Sequence, residues 1–120
     1  MKPIKISDEE LRKSRKIREV IEATIHQINK DFEYAGFEVP VKEFYEYLIL
    51  KNKLAEAIAG LLITNRHRFI SMLYRIDIPD HIIMYALDPV QKETPENRFA
   101  DIIIEREIIK VLIKRHYKNI

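Results

Sequence analysis

The amino-acid sequence predicts an all-α protein, an antiparallel helical bundle of three long helices plus one or two short ones, and three observations carry that expectation. Four segments open on a helix start signal, at Ser7, Pro40, Asp77 and Thr94, and each continues with apolar residues three and four apart. Only two glycines, Gly36 and Gly60, are available for turns. The isoleucine-rich C-terminal stretch suggests strand by its β-branched content. Its charges, however, fall at Glu105, Arg106, Glu107 and Lys110 rather than at every second position, so alternation fails. At 120 residues the chain has the size of one domain, and residues 1–120 read as a single helical unit.

The first helix begins with a capping box, in which Ser7 accepts from the first turn and Glu10 reaches back to it. Ile17, Val20, Ile21, Thr24, Ile25, Ile28 and Phe32 then form one stripe, opposite Arg12, Arg15, Arg18, Glu22 and His26. Gly36 supplies a left-handed stop, so one helix about 40 Å long is expected at roughly 1.5 Å per residue. Pro40 starts the second helix from its first-turn position. Within it Ala55, Ala57, Ala59 and Gly60 concentrate small side chains, marking the expected point of close helix crossing. Thr64-Asn65 offers a new cap, and the pattern leaves open whether the helix over 41–76 continues or breaks there. Asp77-Ile-Pro-Asp opens a short helix from Ile78 to Leu87, and Asp88 to Glu93 is a loop. Thr94-Pro95-Glu96 launches the last helix, which is apolar around more than half its circumference. A helix facing one core needs a stripe of only about 100°. This one must be enclosed, by its own chain or by a second copy, and a homodimer using this helix and the small-residue window is the expected assembly.

Composition narrows the chemistry. The chain has no cysteine, which excludes disulfides and thiolate chemistry. The N-terminus runs into Asp8, Glu9 and Glu10 without an apolar leader, and no apolar run is long enough to span a membrane, so a cytoplasmic protein is expected. No Glu-x-x-His pair or H-E-x-x-H is present, and Glu22 with His26 reads as a surface pair. Neighbouring acids such as Glu9-Glu10 read as solvated faces, and isolated glycines build no phosphate loop. The sequence therefore assigns no catalytic residue, no metal and no cofactor.

The best local candidate for function runs from Asn65 to Arg75, where no acid offsets the cations. As a helix it places His67, Arg68, Ser71 and Arg75 on one outward face, able to hold a phosphate or carboxylates. The bland alternative is a solvated face paired with the acidic stretch from Asp77 to Asp101. The aromatic group Phe32, Tyr34, Phe37, Phe44, Tyr45 and Tyr47 reads as a plug at one end of the bundle, with a ligand pocket as the alternative. Two functions from different classes follow. The preferred one is a small non-enzymatic interaction or scaffold protein, acting as a homodimer and with room for a protein partner. The other is a module for nucleic acid or another polyanion, in which Arg66, His67, Arg68 and Arg75 join Lys110, Lys114 and Arg115 on one face. A net charge of only +2 weighs against the second.

Overall fold

The computed structural model describes residues 5–118, so the readings of Met1 to Ile4 and of the helix end at Asn119 and Ile120 lie outside it. The all-α class is as expected: the described residues form helices α1 (Asp8–Ser14), α2 (Arg18–Tyr34), α3 (Tyr47–Thr64), α4 (Arg66–Arg75), α5 (Asp80–Leu87) and α6 (Pro95–Lys118), with no strand among them.

The first long helix is two helices. Ser7 caps α1 as expected, its Oγ accepting from the Glu10 N–H at 3.1 Å. The Glu10 carboxylate, however, lies 3.4 Å from His116 on α6 instead of closing the box. The break at Arg15–Ile17 has a cause in the pattern itself. Leu11 and Ser14 are buried on α1, and Ile21, Ile25, Ile28 and Phe32 on α2. In an uninterrupted helix position 18 falls on that same inward row, which would push an arginine into the core. A tight turn, with Lys16 donating to Lys13 and Ile17 to Ser14 at 3.1 Å each, swings Arg18 to the surface instead. At the other end of α2 the expected stop is present. Gly36 takes a left-handed φ of 88°, and Phe37 N–H closes back onto Phe32 C=O at 2.9 Å.

Pro40 does not start a helix. The amide of Asn29 grips the backbone of Val41 at both groups, donating to its C=O at 2.7 Å and accepting from its N–H at 3.2 Å. Val41 is thereby pinned in the core, residues 37–46 stay non-helical, and α3 begins only at Tyr47. The question left open at Thr64 resolves as a break, with Asn65 at φ −145° and ψ 44° separating α3 from α4. The small-residue window is not a crossing point throughout: Ala55 is buried, but a Cβ on Gly60 would meet nothing within 4 Å. Asp77 also differs from expectation. It ends α4 rather than starting α5, adopting a left-handed φ of 67° while Ile78 N–H reaches Leu73 C=O at 3.0 Å. Aspartate tolerates that region better than most residues, and Arg106 of α6 pairs with its carboxylate at 3.5 Å.

Helix α6 starts where the sequence places it, with Thr94 Oγ1 accepting from the Asn97 N–H at 3.3 Å. It packs against α1, α2, α3 and α5. Ile103, Ile104, Ile108, Val111 and Leu112 are all buried, each such side chain contributing about 1.5–3 kcal/mol. The chain's own helices thus cover most of the wide apolar circumference, and Ile102, Ile109 and Ile113 stay half-buried. Its first turns also carry a buried cation absent from the sequence reading, Arg98. The guanidinium donates to Ala86 C=O at 3.0 and 2.6 Å, to Asp88 C=O at 2.7 Å and to Glu93 C=O, tying the loop after α5 onto α6.

Candidate functional site

The turn between α1 and α2 does more than rescue Arg18 from the core. It sets a run of cations, Arg12 to Arg18, alongside the start of α3, and the space between them is a groove of about 870 Å³. One wall is cationic, from Arg12, Lys13, Arg15, Lys16 and Arg18. The other is aromatic and aliphatic, from Phe44, Tyr47, Leu48 and Ile49, with Ile21 between. Glu9 and Glu46 are its two acids.

Within the groove the cations differ in how far they are committed. The Arg18 guanidinium lies 4.1 Å from the centre of the Phe44 ring and bonds Glu22 at 2.7 Å. Arg15 stacks on Tyr47 at 4.4 Å. Lys13 faces Glu9 at 3.2 Å, both well exposed, an interaction water weakens. Arg12 and Lys16 are exposed and have no acidic partner among the described residues. Tyr47 is itself fixed from behind. Its hydroxyl donates to Asp101 of α6, which Lys51 also holds at 3.0 Å while bridging to Glu93 at 3.0 Å. Burial and then the bond to Asp101 push the Tyr47 phenol well above its usual range, so it stays a neutral donor. Leu48 stands 73% exposed at the mouth, an aliphatic side chain that the described residues leave largely uncovered.

The residues singled out on α4 are placed differently. Arg66, His67 and Arg68 are exposed at its first turn. Arg68 lies over Phe37 at 5.9 Å and forms one side of a smaller recess of about 480 Å³ with Gly36 and Pro40. Arg75 stacks on Tyr34 at 4.2 Å and donates to Asp31 C=O at 3.3 Å. Lys110 pairs with Glu107 at 3.5 Å, while Lys114 and Arg115 continue along the last turns of α6. The aromatic group divides: Phe32 packs on Phe37 at 6.1 Å, Phe44 and Tyr47 enter the groove, and Tyr34 is exposed.

Asp31 and Glu107 form a second unusual pair. Glu107 is fully buried, and neither of its oxygens nor Asp31 Oδ2 finds a hydrogen-bond donor. Burial first, then the adjoining Asp31, push the Glu107 carboxyl up to about 7. No cluster of three or more potential metal ligands occurs among the described residues, and no helix there is long and apolar enough to cross a membrane.

Compared with protein-family models, curated proteins and solved structures, the chain matches none. The site therefore stands on its own geometry. The sequence reading assigns Arg12, Arg15 and Arg18 to a solvated helix face and misses the groove. The signal that was available is the run itself, five cations between positions 12 and 18 with no acid among them.

Proposed function

We propose that this protein is a small binding module, its long helices acting as a rigid bundle that presents the α1–α3 groove to an anionic partner. The observation that carries this reading is the pair Arg12 and Lys16, cations without acidic partners, set across from aromatic and aliphatic side chains that are themselves partly uncovered. Exposed charge is common and by itself weak support. Charge facing an apolar wall inside a concavity is different, because an incoming anion is partly desolvated there and each contact strengthens. A groove of this size is also on the scale of a ligand site, typically about 300–1,000 Å³. This supports the interaction-protein class and moves the anion-binding surface from α4 to α1.

A fluorescence titration with heparin and with poly-glutamate, at low and moderate salt, tests it. The expected result is salt-sensitive binding that Arg12→Glu/Lys16→Glu weakens about tenfold or more, while Arg66→Glu/Arg68→Glu changes it by less than about twofold. Absence of binding at low salt, or a larger loss from the α4 variant, overturns the proposal. Circular dichroism on each variant confirms that the fold is retained.

A further inference from the structure

Resting on that reading, we infer that the partner is an acidic amphipathic helix of another protein, laid along the groove between the α1–α2 turn and the start of α3. The two walls differ in character. One presents Arg12 and Lys16 in adjacent turns of backbone, and the other presents Leu48 and Ile49, 73% and 48% exposed. An occupant must therefore be acidic along one edge and apolar along the next. A helix with an apolar stripe flanked by Asp or Glu has that arrangement over successive turns, and helix-in-groove docking reads such i, i+3, i+4 anchors.

Nucleic acid fits less well. Bases seek open aromatic faces, but Phe44 and Tyr47 each already carry a guanidinium, at 4.1 and 4.4 Å. Aliphatic Leu48 and Ile49 offer a base no stacking platform. Glu9 and Glu46 would repel a continuous phosphate backbone, yet can receive the occasional basic residue of a peptide. A lipid surface is flat, whereas these cations line a concavity. The Tyr47–Asp101–Lys51 network holds the aromatic wall in place before any partner arrives, which lowers the ordering cost of docking.

The test uses the full chain and fluorescein-labelled peptides of about 20 residues, long enough to become helical when bound. One places Leu at i, i+3 and i+4 with Glu beside the stripe, and a second scrambles the same composition. A thymidine oligonucleotide and vesicles containing an anionic phospholipid are run in parallel. The ordered peptide is expected to bind about tenfold or more tighter than the scrambled one, and both Arg12→Glu/Lys16→Glu and Leu48→Ser to reduce its affinity about tenfold. Equal binding of ordered and scrambled peptides overturns the inference while leaving an anion-binding groove intact. Preference for the oligonucleotide or the vesicles does the same. Binding of none of the probes overturns this inference and the groove's function together.

Discussion

The α1–α3 groove carries five cations and α4 three arginines, and the structure uses them differently. On α4, Arg68 and Arg75 lie over Phe37 and Tyr34, and Arg75 also braces the end of α2 through Asp31 C=O. In the groove, Arg12 and Lys16 have no acidic partner among the described residues, while the apolar wall opposite them is left partly bare. A cation that serves the fold is recognised by its partners; Arg12 and Lys16 have no acidic one among the described residues, and they face an apolar wall. Arg98 marks the far end of this scale: it is 6% exposed, its guanidinium spent on the carbonyls of Ala86, Asp88 and Glu93. Stability cost and binding cost should therefore run in opposite orders across these arginines.

Arg98→Ala sets the upper limit. Removing the guanidinium leaves the buried Ala86 C=O without its donor, takes a bond from the carbonyls of Asp88 and Glu93 and frees the loop between α5 and α6, a loss of about 3 kcal/mol in urea unfolding. Anion binding by whatever remains folded should be unchanged. A loss under about 1 kcal/mol would show that the loop is held by something else.

Glu107 sharpens the same contrast with the opposite charge, because its buried oxygens face only the Lys110 ammonium, at 3.5 Å, with no hydrogen bond. Its carboxyl is raised to about 7 from an ordinary 4.5, so the folded protein holds a proton that the unfolded chain releases. The stability that this proton contributes is fully present below about pH 4.5 and is lost as pH rises to about 7, by on the order of 3 kcal/mol. Glu107→Gln keeps the shape and the hydrogen-bonding capacity but cannot ionise. It should flatten the pH profile and be the more stable form at pH 8. A parallel decline in the variant would assign the pH dependence to other groups.

Smaller still is the effect of Arg75→Ala, about 0.5–1 kcal/mol for a stacked, partly exposed guanidinium. Arg12→Ala/Lys16→Ala should fall within about 0.5 kcal/mol of the parent in the same unfolding assay. If the groove variant proved the more destabilising of the two, Arg12 and Lys16 would be structural and the comparison would collapse.

How far the sequence discloses this molecule depends on the range of the interaction concerned. The caps at Ser7 and Thr94 and the stop at Gly36 are local, set by residues within one turn, and they are where the sequence places them. The break before Arg18 needs the burial row of the whole α1–α2 segment to be weighed against one charge. The failure of Pro40 to start a helix depends on Asn29, twelve residues upstream, gripping Val41. The enclosure of α6 was legible as a requirement, but the choice between self and second copy rests on packing that no window reveals. The groove lay hidden for the same reason. Its cations were visible in the run from Arg12 to Arg18, whereas the Phe44–Ile49 wall reaches them only because the chain turns at Ile17 and stays non-helical to Glu46.

Amide chemical shifts of the ¹⁵N-labelled full-length protein, followed while poly-glutamate is titrated in at low salt, test the central claim most directly. The account predicts perturbations that saturate and cluster at Arg12 to Arg18 and Phe44 to Ile49, and that fade as salt is added. Perturbations centred on Arg66 to Arg75 and the end of α6, with the groove silent, would contradict it.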